Sequence, residues 1–171
     1  MRFMLTLMVL FSFVSCSHKS DSALYTEGKA AEEKKDFSTA VQLYEEAVNR
    51  FQTTAFAESS LYRLAYMYNN DLKDSRKAVQ AYKHYYETFP NSKQAPTMLF
   101  LAGFIYNNEL HFLDSAKTIY EIFLQKYPQH ELASSAKFEM ETLGKDPGQA
   151  LTPQVTTAEE TKPEKKKAAK K

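Results

Sequence analysis

A single thiol, four imidazoles and a few adjacent carboxylates are the groups in this 171-residue chain with chemistry to offer. Cys16 is the only cysteine, so no disulfide can close within the chain, and its thiol is the one nucleophile here that makes a stable thioether. His18, His84, His111 and His130 are scattered, without a paired carboxylate or a metal-ligand spacing, so neither a catalytic base nor a metal centre is expected. Glu32 with Glu33 and Glu45 with Glu46 are adjacent, and adjacent positions on a helix point different ways, which makes surface charge rather than an acid–base pair. The four glycines do not cluster, so no phosphate loop is present. These residues predict a chain that is not an enzyme and needs no cofactor. They leave unexplained a large supply of aromatic rings, 11 Tyr and 12 Phe.

The two ends speak of location. Phe3 to Val14 is an almost unbroken apolar run behind Arg2, closing in the small residues Ser15 and Cys16, which is the pattern of a bacterial secretion signal over residues 1–15. Its twelve residues would cover about 18 Å as a helix, well short of the roughly 30 Å of a bilayer core, so export with cleavage is expected rather than a permanent span. Phe13-Val14-Ser15-Cys16 resembles the lipobox of bacterial lipoproteins. That resemblance implies cleavage before Cys16, lipidation of its sulfur and a short linker over residues 16–22. Several acyl chains hold where one is marginal, at about 0.8 kcal/mol per buried CH₂. By the sorting rule of enteric bacteria, Ser17 in the next position implies the outer membrane, with the body facing the periplasm.

From Pro147 onward the chain is rich in Pro, Gly, Thr and Gln, and it ends with Lys162, Lys165, Lys166, Lys167, Lys170 and Lys171. Residues 146–171 have no apolar face and are expected to be disordered. The lysines either tether the protein electrostatically to an anionic surface, at up to about 1 kcal/mol each, or simply solvate the tail. Without Arg2 the acidic and basic residues balance at 21 each, and the surplus of lysine in the tail leaves the body slightly acidic. Nothing recommends it as a nucleic-acid surface.

Between these ends, residues 23–145 carry a periodic pattern. Ala40, Tyr44 and Ala47 are followed at an interval of 38 by Ala78, Tyr82 and Tyr85, and then by Ala116, Tyr120 and Phe123. Ahead of each set stands another: Leu24 with Gly28, then Leu61, Ala65 and Tyr68, then Leu99, Gly103 and Tyr106. Each unit is therefore a helix pair, and since a pair cannot bury its own apolar face, the pairs must stack into a solenoid. Turns are expected near Lys35-Asp36, at Asn69-Asn70-Asp71 and at Asn107-Asn108, with Ser38, Asp74 and Ser75 as candidate caps. Pro96 falls in the first turn of its helix. Residues from Glu131 to Leu143 begin another first helix and then stop, with Lys137 and Glu141 at positions that are apolar or small in complete units. That describes a terminal cap. The predicted fold is all-α, three helix pairs plus a C-terminal capping helix.

These residues reproduce most of the tetratricopeptide (TPR) pattern, so the chain resembles that family over its central 120 or so residues. The junctions Phe89-Pro90-Asn91-Ser92 and Tyr127-Pro128-Gln129-His130, with the long interval, resemble a narrower group, the exported repeat proteins of the bacterial envelope. It includes the lipoprotein subunit of the β-barrel assembly machinery and the periplasmic protein of the Tol-Pal system. The resemblance implies a concave surface lined by first helices, at Tyr25, Tyr62 and Phe100 in one row and Lys29, Tyr66 and Phe104 in a second, with Asn69 and Asn107 a turn further on. Rings supply contact area at low entropy cost and amides bind backbone groups, so a peptide segment of another envelope protein is the expected ligand. The same rings could instead pack on one another between first helices or form a self-association surface. The function implied is a non-enzymatic scaffold for envelope proteins, in outer-membrane protein assembly; a Tol-Pal or division-type adaptor, or an accessory presenting substrate to a separate enzyme, are the alternatives.

Overall fold

The computed structural model describes residues 19–145; the expected secretion signal, Cys16 with its expected lipidation and the Lys-rich tail lie outside the described residues. These residues form seven helices and, among them, no strand: α1 (Asp21–Glu33), α2 (Phe37–Phe51), α3 (Ala55–Asn70), α4 (Ser75–Thr88), α5 (Ala95–Asn108), α6 (Leu113–Lys126) and α7 (Ala133–Glu141). Each helix packs on its neighbours in the chain, and α1 also rests on α3. This is the all-α, TPR-like solenoid of three pairs and a single terminal helix.

The core follows the 38-residue interval. Ala40, Ala78 and Ala116 and the rings of Tyr44, Tyr82 and Tyr120 have no exposed surface. Small residues on the first helices let these rings in. A Cβ on Gly28 would lie 2.7 Å from Cε1 of Tyr44, and one on Gly103 would lie 2.8 Å from Cε1 of Tyr120, both closer than real contacts allow. Ala65 fills the matching position of the middle unit and is fully buried. Leu24, Leu61, Leu99 and Phe123 complete this spine, each contributing roughly 1.5–3 kcal/mol on burial.

Helix starts are set by side chains where the sequence supplies them. Ser20, Asp36, Thr54 and Asp74 accept from the backbone N–H three residues on, at the heads of α1, α2, α3 and α4. The cap of α2 is Asp36 rather than the expected Ser38, because the helix already begins at Phe37. Likewise Asn69 and Asn70 end α3 instead of forming its turn, which runs through Asp71 to Asp74. Each turn within a pair passes through a left-handed residue at the same place in the unit: Lys35 (φ 60°), Lys73 (φ 53°) and His111 (φ 55°). The residue that follows is Asp36, Asp74 and then Phe112, and only the third gives α6 no side-chain cap.

Candidate functional site

The two predicted rows lie on the first helices α1, α3 and α5, and most of the rings there also serve the packing. Tyr25 is half-buried, its ring centroid 6.1 Å from that of Tyr44 and 5.7 Å from that of Phe56. Tyr62 and Tyr66 lie 4.7 Å apart, Tyr66 edge-on to Tyr82 at 5.7 Å. Phe100 lies 5.9 Å from Tyr120 and 6.0 Å from Phe123. Each ring is thus held by the second helix of its own unit and turns its remaining surface outward. Burial, and next the hydroxyl of Tyr62, push the Tyr66 phenol up to about 12, so it is a neutral donor at ordinary pH. Phe104 is the most open of the rings on α1, α3 and α5 in these rows, 37% exposed.

The polar members divide. Lys29 is exposed and sits 3.8 Å from Glu33 on its own helix, a pair worth a few tenths of a kcal/mol, at most about 0.5. Asn69 is half-buried and donates to the side-chain oxygen of Asn70 at 2.9 Å. Asn107, expected to face the ligand, is instead buried and donates to Glu139 of α7 at 3.0 Å, as does Asn108 at 3.2 Å. These two amides fasten the terminal helix to α5.

One ring lies beyond the predicted rows. Phe138 of α7 stands 38 residues after Phe100, which stands 38 after Tyr62, so it continues the first row. It is 46% exposed, because α7 has no second helix of its own among the described residues to cover it as Tyr120 and Phe123 cover Phe100. The interval itself was the signal, and extending the count by one unit finds it.

Carboxylates that accept from tyrosine hydroxyls tie neighbouring helices together, both within a unit and between units. Glu32 of α1 accepts from Tyr44 of α2 at 2.9 Å and, at both its oxygens, from Arg63 of α3 at 3.0 and 2.6 Å. Glu45 of α2 accepts from Tyr68 of α3 at 2.7 Å, and Glu58 of α3 from Tyr85 of α4 at 2.6 Å. The expected surface charges Glu32 and Glu45 are therefore structural acceptors. Burial first, then the Glu58 carboxylate, pushes the Tyr85 phenol up to about 12. Among the described residues no cluster of His, Cys, Asp or Glu could hold a metal, and no helix is long and apolar enough to cross a membrane.

No curated protein matches this sequence significantly. The family model described as YfiO, outer membrane lipoprotein, matches residues 17–146, a stretch that begins next to Cys16 and ends just past α7. The match covers well over half of the chain, and with the repeat architecture above it makes this protein a member of the YfiO family of outer membrane lipoproteins.

Proposed function

We propose that this lipoprotein is a non-enzymatic, periplasm-facing scaffold in outer-membrane protein assembly, holding a segment of another envelope protein along the aromatic face of its first helices. The observation that carries this reading is the row Tyr25, Tyr62, Phe100 and Phe138, flanked by Lys29, Tyr66, Phe104 and Asn69. Four helices in register present a ring each, and Phe104 in the second row is also exposed. A segment laid across these helices would bury several rings at once, with the rings already fixed by the helices behind them, so little side-chain entropy is lost on binding.

The anchor is Cys16, lipidated after removal of residues 1–15. The few residues between Cys16 and α1 reach at most about 20 Å, which keeps the body close to the bilayer where membrane proteins are handled. The Lys-rich tail, residues 146–171, adds a contact with an anionic surface, lost at high salt.

A photo-crosslinking residue at position 62 or 104 in intact cells is expected to trap envelope proteins, and Tyr62→Ala with Phe104→Ala is expected to abolish that capture while the helical signal is kept. Unchanged capture by the folded double variant would remove the groove from consideration. Recovery of cell-wall or division factors instead of outer-membrane proteins would assign the adaptor role.

A further inference from the structure

A second site lies away from the aromatic face, in the gap between the second helices α2 and α4. A cavity of about 340 Å³ is floored there by Val48, Leu61, Leu64 and Ala81. Glu45, Asn49, Lys77, Gln80 and His84 surround it, all exposed, and Tyr68 forms one wall. Leu61, Leu64 and Tyr68 are on a different side of α3 from Tyr62, Tyr66 and Asn69, so the cavity is separate from the proposed groove.

The repeat supplies its own control. One unit along, between α4 and α6, Val48 is replaced by Tyr86, Ala81 by Ile119 and His84 by Ile122, while Leu64 gives way to Ala102. There Tyr86 and Ile122 pack, half-buried, against the core around Ile119. The Tyr86 hydroxyl accepts from the Lys126 ammonium at 2.7 Å, with that nitrogen 5.2 Å from the ring centre. The next junction is thus filled from within by a tyrosine whose polar tip meets a cation, and in the first the smaller side chains leave the space open. Its rim has the complementary groups: Lys77 beside the Tyr68 ring at 5.2 Å, with Gln80 to donate, and Glu45 and Asn49 to accept.

We infer that this cavity receives a tyrosine side chain of a partner protein, seated as Tyr86 is seated one unit along. The floor takes the ring and the rim takes the hydroxyl. The site stands whether or not the aromatic groove binds a peptide.

The test is a methyl NMR titration of the full chain carrying Cys16→Ser, with p-cresol as the tyrosine side-chain probe and toluene as its hydroxyl-free counterpart. Saturable shifts are expected at Val48, Leu64 and Ala81, with p-cresol binding several-fold tighter than toluene. The variant Val48→Tyr with Ala81→Ile, which writes the next junction into this one, is expected to keep its fold and lose those shifts. Ala81→Ile alone, a smaller change, is expected to weaken them several-fold if the double variant does not fold. Unmoved wild-type methyls, equal shifts in a folded filled variant, or equal binding of the two probes would overturn the assignment. So would a wild-type chain that dimerises through this surface, since a second copy would then be the occupant.

Discussion

Glu32 is the joint on which the first three helices meet, and its removal gives the sharpest measure of how they are held. The carboxylate side chain is 17% exposed and that of Arg63 is 38% exposed, so this is a partly buried fork rather than a surface pair. In Glu32→Ala the Tyr44 hydroxyl, on a residue with no exposed surface, loses its acceptor, which costs about 1–3 kcal/mol. Arg63 can turn to water, so its share is discounted to about 1 kcal/mol or less. Together these predict a loss of about 1–4 kcal/mol, and a fall in Tm of roughly 3–16 °C for a domain of this size. Glu32→Gln keeps one acceptor and should cost about half as much. Urea unfolding followed by circular dichroism measures both. A cycle with Tyr44→Phe isolates the buried bond, and should return a coupling of about 1 kcal/mol or more. A loss below about 0.5 kcal/mol in Glu32→Ala, or no coupling in the cycle, would refute the reasoning.

Two further outcomes follow from the same packing. The phenols of Tyr66 and Tyr85 are held up to about 12, against about 10 in an unfolded chain. The folded state therefore keeps protons the unfolded state would release. Stability should be intact below pH about 10 and fall as pH rises toward about 12, with Tyr85→Phe flattening the slope. A free energy of unfolding unchanged across that window would contradict this. At the helix starts, Asp74→Ala should cost about 1 kcal/mol of stability in urea, and Phe112→Asp should gain a fraction of that. The gain is reduced because Phe112 gives up its contacts with Tyr106 and Arg76. A neutral Asp74→Ala would mean the cap contributes nothing.

The architecture was legible because its period is carried by residues that cannot be exchanged for surface ones. Ala40, Tyr44 and their counterparts 38 and twice 38 residues later meet at the helix crossings, where volume is fixed on both sides. Boundaries were less legible. Ser38 and Asp36 are equally good caps by type, and the choice was made by the left-handed turn at Lys35, which returns the chain to helix two residues later, at Phe37. On the candidate face, the rows Tyr25, Tyr62, Phe100 and Lys29, Tyr66, Phe104 could be counted off from the leucines because register alone determines them. Asn107 could not, since its burial depends on Glu139 reaching over from α7, a contact between residues 32 apart. Phe138 was hidden for a related reason: its exposure follows from the want of a second helix over α7 among the described residues, which is a property of the stacking rather than of the local sequence.

Every helix of this body rests on those before and after it in the chain, and apart from α1 on α3 little is closed over a long stretch. A molecule wired in this way has few distant ends to bring together before its contacts repay the search. Its order should therefore be gained quickly, in about microseconds to milliseconds, and from whichever pair forms first. For a chain that emerges amino end first, shape would keep pace with delivery, one pair setting while the next is still arriving.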